Sequence, residues 1–337
     1  MNNNYIFVTG GLGYIGSHLC IELLEKGHKV VTLDNLSNSK ITTLEKIRKI
    51  SGKKVEFFQG DIRDEVLLEN IFNDFQISGV IHLAGLKAVN ESIDKPTEYF
   101  DVNVSGSINL LKVMQKHKCK VLIFSSSATV YKSSESLLDE ESELGPVNPY
   151  GQTKLIIEQA MSSICKSSRK SFISLRYFNP VGAHSSGLIG EDPKGIPNNL
   201  MPYISQVARG MRKNLKVFGN DYETPDGTGI RDYIHVSDLV KGHLRALDFA
   251  YENSGYFVFN LGTGKGYSVL EVAKTYEKCS GQKVPIIISQ RREGDIALSI
   301  ANPSKANVVL KWTAKKGLED MCRDSWKWEK RISDSQS

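Results

Sequence analysis

The stretch YIFVTGGLGYIGSHL (Tyr5–Leu19) joins a short apolar run to a helical pattern through three glycines, Gly10, Gly13 and Gly16. Tyr5 to Val8 reads as a buried strand, and from Ile15 the apolar residues Ile15, Leu19, Leu23 and Leu24 recur at helical spacing. The glycines therefore fill a strand-to-helix turn. Lacking Cβ atoms, they let the backbone bend sharply and let a pyrophosphate approach the free N–H groups and positive dipole end of the helix. Glycines at such a turn also serve packing alone, and the string by itself does not separate the two. The next strand does: HKVVTLDN (28–35) ends in Asp34, where a carboxylate accepts hydrogen bonds from a ribose 2′-hydroxyl and repels a 2′-phosphate. The pair of elements predicts a dinucleotide site that favours NAD over NADP. The plainer reading of Asp34 is a solvated carboxylate at a strand end.

Working outward, 337 residues with 40% hydrophobic content suffice for one large α/β domain and a smaller one. A net charge of +5 suits a phosphate-bearing substrate, but no basic tract interleaved with aromatics points to nucleic acid. Cys20, Cys119, Cys165, Cys279 and Cys322 are scattered and odd in number, which signals neither a disulfide framework nor a zinc site. There is no basic leader with an apolar core and no run of about 18 apolar residues. A soluble cytoplasmic protein without metal is the expectation.

Strand candidates Tyr5–Val8, Lys29–Leu33, Val55–Gln59, Gly79–Leu83, Val121–Phe124 and Ser171–Arg176 alternate with helical patterns. The helices are Ile15–Glu25, Thr42–Ile50, Val66–Phe75, Pro96–His117 and Pro149–Lys166. Such alternation implies right-handed crossovers and a doubly wound, mostly parallel sheet with helices on both faces. Beyond Asn179 the chain becomes rich in Gly and Pro, and long loops in compact proteins are usually functional. A boundary near residue 180 separates residues 1–180 from a smaller domain, 181–337. The strands around Tyr233 and Phe259 are candidates to rejoin the first sheet.

In FSSSATVY the hydroxyls of Ser125, Ser126 and Ser127 follow a buried strand, at the end where open α/β sheets hold ligands. In NPYGQTKLIIEQ, Tyr150 and Lys154 stand four apart and so share one helix face. A phenol is a poor base at neutral pH, but a lysine ammonium and a cationic nicotinamide beside it both favour phenolate. Tyr150 then becomes a base. A surface Tyr–Lys pair is the plainer alternative.

The motifs TGGLGYIGSH, LDNLSNS, GDIRD, HLAGLKAVNES, SSSATVY, PYGQTK, LRYFNPVGAH, GIPNNLMPYI, FGNDY, DGTGIRDYIHVSDL, FNLGTG and RREGD run in this order over essentially the whole chain. In this the sequence resembles the UDP-glucose 4-epimerases of the extended short-chain dehydrogenase family. The resemblance implies a Rossmann domain with tightly held NAD, a UDP-sugar domain and a homodimer. It makes Tyr150 the base, Lys154 the residue that tunes it and binds the nicotinamide ribose, and Ser127 the bridge to the sugar O4. It lines the NAD with Gly10, Gly13, Tyr14, Ile15, Asp34, Asn35, Asn38, Ser39, Asp61, Ile62, Ala84, Gly85, Lys87 and Phe178. It lines the UDP-sugar with Asn179, Asn199, Leu200, Phe218, Arg231, Tyr233, Arg292 and Asp295. The residue types suit these places: Arg231 and Arg292 can neutralise a diphosphate with forked hydrogen bonds, and Phe218 or Tyr233 offers uracil a flat face. Lys132 departs from the family's Gly after ATVY, and the loop following it is short.

The implied chemistry is proton removal from O4 by Tyr150 with hydride transfer from C4 to NAD, giving a 4-keto sugar. Inversion then needs the hydride to return to the opposite face, so the nucleotide must be gripped while the hexose swings. By the same resemblance Ser299 stands at the hexose end, where glucose-restricted members carry Tyr and members acting on N-acetylhexosamines carry a small side chain. Both UDP-glucose/UDP-galactose and UDP-GlcNAc/UDP-GalNAc are therefore expected substrates. A 4,6-dehydratase would need an Asp–Glu pair where Ala128 and Thr129 stand; a ketoreductase would release its cofactor; a dinucleotide-sensing regulator would not need Tyr150 and Lys154. His82 and His235 read as core hydrogen-bonding residues, and CRDSWKWEKR as an amphipathic helix packing Trp326 or Trp328 on the body.

Overall fold

The structure is a computed structural model that describes residues 4–134, 136–166, 169–292 and 295–334. Its strands are β1 (Tyr5–Thr9), β2 (Lys29–Asp34), β3 (Glu56–Gln59), β4 (Ile77–His82), β5 (Val121–Ser127), β6 (Ser171–Tyr177), β7 (Asn179–Val181), β8 (Leu215–Phe218), β9 (Ile230–His235), β10 (Gly255–Leu261), β11 (Gly266–Ser268), β12 (Ile286–Ser289) and β13 (Leu298–Ser299). Seven of them form a parallel sheet in the order β10-β6-β5-β4-β1-β2-β3. This is the doubly wound order, with its reversal between β1 and β4.

Strand periodicity makes the two faces. Phe7, Val31, Leu33, Val80, Leu122, Phe124 and Phe172 point to one side, onto the helices Glu65–Asp74, Gly106–Lys116 and Pro149–Lys166. Ile6, Val8, Val30, Ile81, Ile123 and Ile173 point to the other, onto Tyr14–Glu25 and Val236–Glu252. Phe7, Phe124 and Phe172 are wholly buried, each worth about 1.5–3 kcal/mol over exposure.

The two candidate returning strands part ways. β10, around Phe259, pairs with β6 and closes the large sheet, whereas β9, around Tyr233, does not rejoin it and pairs with β7, β11 and β13 in a smaller sheet. Connectivity gives the reason: only Phe178 separates β6 from β7, so the small sheet begins where β6 ends. The small sheet therefore starts at the C-terminal edge of the large one. The change of character near residue 180 marks that start, and Val236–Leu261 then returns to the first layer as helix and β10.

The helix expected over Pro96–His117 is a helical run with a π-type segment, Phe100–Ser105, between Pro96–Tyr99 and Gly106–Lys116. The widened turn carries Asn103 inward, where its Oδ1 accepts from Leu86 N (2.7 Å) and its Nδ2 donates to Leu86 O and Thr153 Oγ1, both at 3.1 Å. Such bulges accumulate at functional sites. Among the described residues no helix is long and apolar enough to cross a membrane, and no group of three or more His, Cys, Asp or Glu could hold a metal ion.

Candidate active site

A cavity of about 930 Å³ opens at the C-terminal ends of the large-sheet strands and runs under the small sheet. Every site residue expected from the sequence lines it except Ser299. Ser299 is set back on β13, in register with Arg231 on β9. Paired residues of neighbouring strands share a sheet face, so Ser299 lies on the face of cavity-lining Arg231 but stops short of the wall.

The glycines divide the work at the first turn. Gly10 has φ +71°, and a Cβ on it would meet Ala84 N at 2.9 Å; a Cβ on Gly16 would meet Gly10 O at 2.1 Å. These two serve backbone bend and helix packing. A Cβ on Gly13 would meet only Gly10 O, at 3.3 Å, so its bare Cα answers to the cavity it lines. Gly13 also caps the helix Tyr14–Glu25 with no side-chain hydrogen bond and no acid in the first turn, leaving the N–H groups for an anion. Gly11, which the sequence reading passed over, is needed too: its Cβ would lie 2.0 Å from Thr32 Oγ1.

Asp34 is held rigidly. Its Oδ2 accepts from Leu12 N (3.0 Å), and its Oδ1 from Leu36 N (2.9 Å) and Ser39 Oγ (2.7 Å). Asp61 is held down to about 2, chiefly by hydrogen bonds from Arg63, and accepts from Asn35 Nδ2 at 3.2 Å. His82 is a core residue: it bonds Thr9 Oγ1 (2.7 Å) and Ser107 Oγ (2.8 Å), and Thr9 Oγ1 accepts from Ala84 N (3.1 Å) in the cavity wall. His235 caps a helix, accepting from Ser237 N.

At the seam between the two halves Ser127, Tyr150 and Lys154 converge. Ser127 Oγ accepts from Thr129 N (3.2 Å) and Thr129 Oγ1 (3.0 Å), which leaves its own proton to donate toward Tyr150. Lys154, buried, donates to Ser125 O at 2.7 Å and sits 5.7 Å from the Tyr150 ring centre. Burial draws its ammonium down to about 8, opposed by Glu158. Burial raises the Tyr150 phenol, and a Ser127 hydrogen bond works against it. Burial is the larger effect, so the phenol is favoured without cofactor, and the cationic ring of a bound NAD would act the other way. The lysine ammonium, held by Ser125 O, stands over the Tyr150 ring.

Over the small sheet the polar side chains are bonded within the protein. Arg292 Nε donates to Asp295 Oδ2 at 2.9 Å and its guanidinium lies 4.6 Å over the Phe218 ring, covering one of the faces expected for uracil. Arg231 Nη1 donates to Ile230 O (2.9 Å), and Asn179 Nδ2 to Asp232 O (2.9 Å). Glu191, absent from the sequence expectations, bridges the halves: its Oε1 accepts from Lys87 Nζ (2.9 Å) and Asn199 Nδ2 (2.7 Å). Tyr222 and Trp328 also line the cavity. Glu191 sits in a loop with no periodicity to flag it; Trp328 is one of the two tryptophans expected to pack, and both do. Lys132 closes its short loop on Glu143 through Nζ (2.9 Å) and backbone N (2.9 Å), outside the cavity wall.

A parallel doubly wound sheet with a dinucleotide-type turn, a Ser/Tyr/Lys seam and a cationic second half defines a nucleotide-sugar enzyme of the short-chain dehydrogenase type. Residues 7–325 match the family model described as GDP-mannose 4,6 dehydratase. A UDP-glucose 4-epimerase of Bacillus subtilis is 52% identical over 326 residues, covering 96% of each chain. The solved UDP-glucose 4-epimerase of Stenotrophomonas maltophila, with bound NAD and formylated UDP-arabinopyranose, superposes with a TM-score of 0.96 at 47% identity, covering 98% of this chain and 99% of that one. The UDP-Glc/GlcNAc 4-epimerase of Campylobacter jejuni superposes with a TM-score of 0.85 at 34% identity, covering 97% and 99%. The chain belongs to the UDP-glucose 4-epimerase family, whose members are NAD-dependent isomerases.

Proposed function

We propose that this chain interconverts UDP-glucose and UDP-galactose with one resident NAD, on residues Tyr150, Lys154 and Ser127. The observation that carries the reading is their convergence at the seam of a single cavity, between the glycine turn and the paired arginines. The cofactor fits: the bare Gly13, the uncapped helix start and the anchored Asp34 carboxylate suit a pyrophosphate and a ribose diol. When bound, NAD supplies a cationic ring that accepts the C4 hydride and later returns it. With that cationic ring favouring its phenolate, Tyr150 would take the O4 proton while the Ser127 hydroxyl hydrogen-bonds to O4 and keeps its own proton, and Lys154 orients the ribose beside them. Arg231 and Arg292 hold the diphosphate, and Phe218 or Tyr233 the uracil.

The residues up to 180 thus form the NAD half and those beyond it the substrate half, apart from the returning Val236–Leu261. The reading extends to N-acetylhexosamines because Ser299 stops short of the wall. A homodimer belongs to it as well, as the family resemblance implies. The free thiols of all five cysteines fit a reducing, cytoplasmic setting. A dehydratase reading, which the matched family model's description invites, lacks its acid pair: Ala128 and Thr129 follow Ser127. Purified protein incubated with UDP-glucose and no added cofactor should yield UDP-galactose; a 4-keto-6-deoxy product, or turnover that stops without added NAD, would overturn the reading.

A further inference from the structure

Helix Pro149–Lys166 carries Tyr150, Lys154 and Glu158 one turn apart. Along β5, three successive residues meet this face: Ser125 O accepts from Lys154 Nζ (2.7 Å), Ser126 Oγ donates to Glu158 Oε1 (2.5 Å), and Ser127 enters the cavity. From β6, Arg176 grips Glu158 with two parallel bonds, Nε to Oε1 at 3.0 Å and Nη2 to Oε2 at 2.7 Å. Both side chains are only 4% exposed. Behind the pair, the Arg176 guanidinium lies 4.8 Å over the Tyr131 ring, whose hydroxyl donates to Asn260 Oδ1 at 2.6 Å.

A buried ion pair is poor evidence for stability, since packed apolar residues of similar volume commonly serve as well. Its placement therefore needs another account. The geometry points to Glu158 as a positioning residue for the epimerisation step: held by Arg176, its carboxylate anchors Ser126 and with it the end of β5, whose Ser125 carbonyl holds the Lys154 ammonium and whose Ser127 meets Tyr150. This rests on the assignment of Tyr150 and Lys154 above.

The electrostatics agree. Burial draws Lys154 down to about 8, and Glu158 is the charge that opposes it. The other titratable groups around Lys154 are Tyr150 on its own helix, His82 on β4, and Arg176 and Tyr177 on β6. His82 is driven down to about 3, by burial first and Lys154 second, and stays neutral; the Tyr177 phenol is raised by burial; Arg176 is committed to Glu158. Neutralising Glu158 lowers Lys154 further, so the ammonium is lost at lower pH and turnover that needs it falls off earlier as pH rises.

The test is Glu158→Gln in the NAD-loaded enzyme, with kcat and KM for UDP-glucose followed from mildly acidic to mildly alkaline pH. The expected result is kcat reduced about 10- to 100-fold, KM little changed, NAD retained, and the alkaline fall-off of kcat moved to lower pH. Because Gln leaves Arg176 without its counter-charge, Glu158→Gln/Arg176→Met is measured beside it; this variant keeps a filled core and should show the same displaced limb. A folded variant of either kind with wild-type kcat and an unmoved alkaline limb overturns the proposal. Undiminished turnover by Tyr150→Phe would instead place the failure in the underlying assignment.

Discussion

The two halves of the cavity are built on different principles. On the glycine-turn side the groups that would meet a ligand are backbone N–H groups and one carboxylate, Asp34, already fixed by three donors. On the small-sheet side they are long side chains bonded to other side chains: Arg292 to Asp295, and Glu191 to Asn199 and, from across the seam, to Lys87. The first half is organised before anything binds; the second holds its side chains in internal bonds with which a ligand would compete. Preorganisation removes the ordering cost of binding. The difference suits an enzyme that must keep one ligand through many turnovers while exchanging and turning the other.

The largest expected effect lies at the seam. Tyr150→Phe removes one oxygen from a half-buried ring and should lower kcat about 10²- to 10⁴-fold, the range for a lost general base, while NAD stays bound. Product formation near the wild-type rate would show that neither half delivers its ligand to Tyr150. Gly16→Ala breaks the preorganised half alone. Its Cβ would lie 2.1 Å from Gly10 O, and the backbone shift should cost about 1–3 kcal/mol and strip NAD from the purified protein. Cofactor content is read from absorbance after denaturation, and stoichiometric NAD in this variant would refute the rigid turn.

The same contrast explains what was legible in the sequence. Turn geometry is local: Gly10, Gly13 and Gly16 between a strand and a helical period gave the nucleotide turn and the sheet around it, and Asp34 followed from the next strand. The substrate half is assembled from segments around residues 179, 199, 218, 231 and 292, brought together only by the small sheet and its loops. No periodicity links them, so they came from the resemblance alone, and Glu191 came from neither. The return of β10 but not β9 was open for a similar reason. Both are strands of similar length, and what separates them is the continuity of β6 into β7.

A smaller effect should sharpen the account of the exchangeable half. Arg292→Lys keeps the charge but loses the fork that can serve a diphosphate bidentately. Since Arg292 is 44% exposed and paired with Asp295, the loss should be modest: KM for UDP-glucose up by about tenfold, or roughly 1.4 kcal/mol, with kcat and bound NAD nearly unchanged. A fall in kcat with KM constant would move Arg292 from holding the nucleotide to shaping the reacting sugar.

The smallest and most selective effect belongs to Ser299. Register with Arg231 puts it on the cavity-facing side of the small sheet, and its one-hydroxymethyl side chain ends short of the wall. A tyrosine there would extend past that limit by a phenol ring, about the room an acetamido group requires, and close-packed walls absorb such excess only with about 1–3 kcal/mol of strain. Ser299→Tyr should therefore cut kcat/KM for UDP-GlcNAc by about 10- to 200-fold and leave UDP-glucose within a few-fold of wild type. NAD content should not move, because β13 belongs wholly to the small sheet. Leu298 and Ile300 are the neighbours able to fill the space instead. Were they to do so, wild type would ignore UDP-GlcNAc, or the tyrosine would leave the ratio of the two sugars unaltered. Either result would mean that the hexose end is closed by the strand itself and that the size of residue 299 sets nothing.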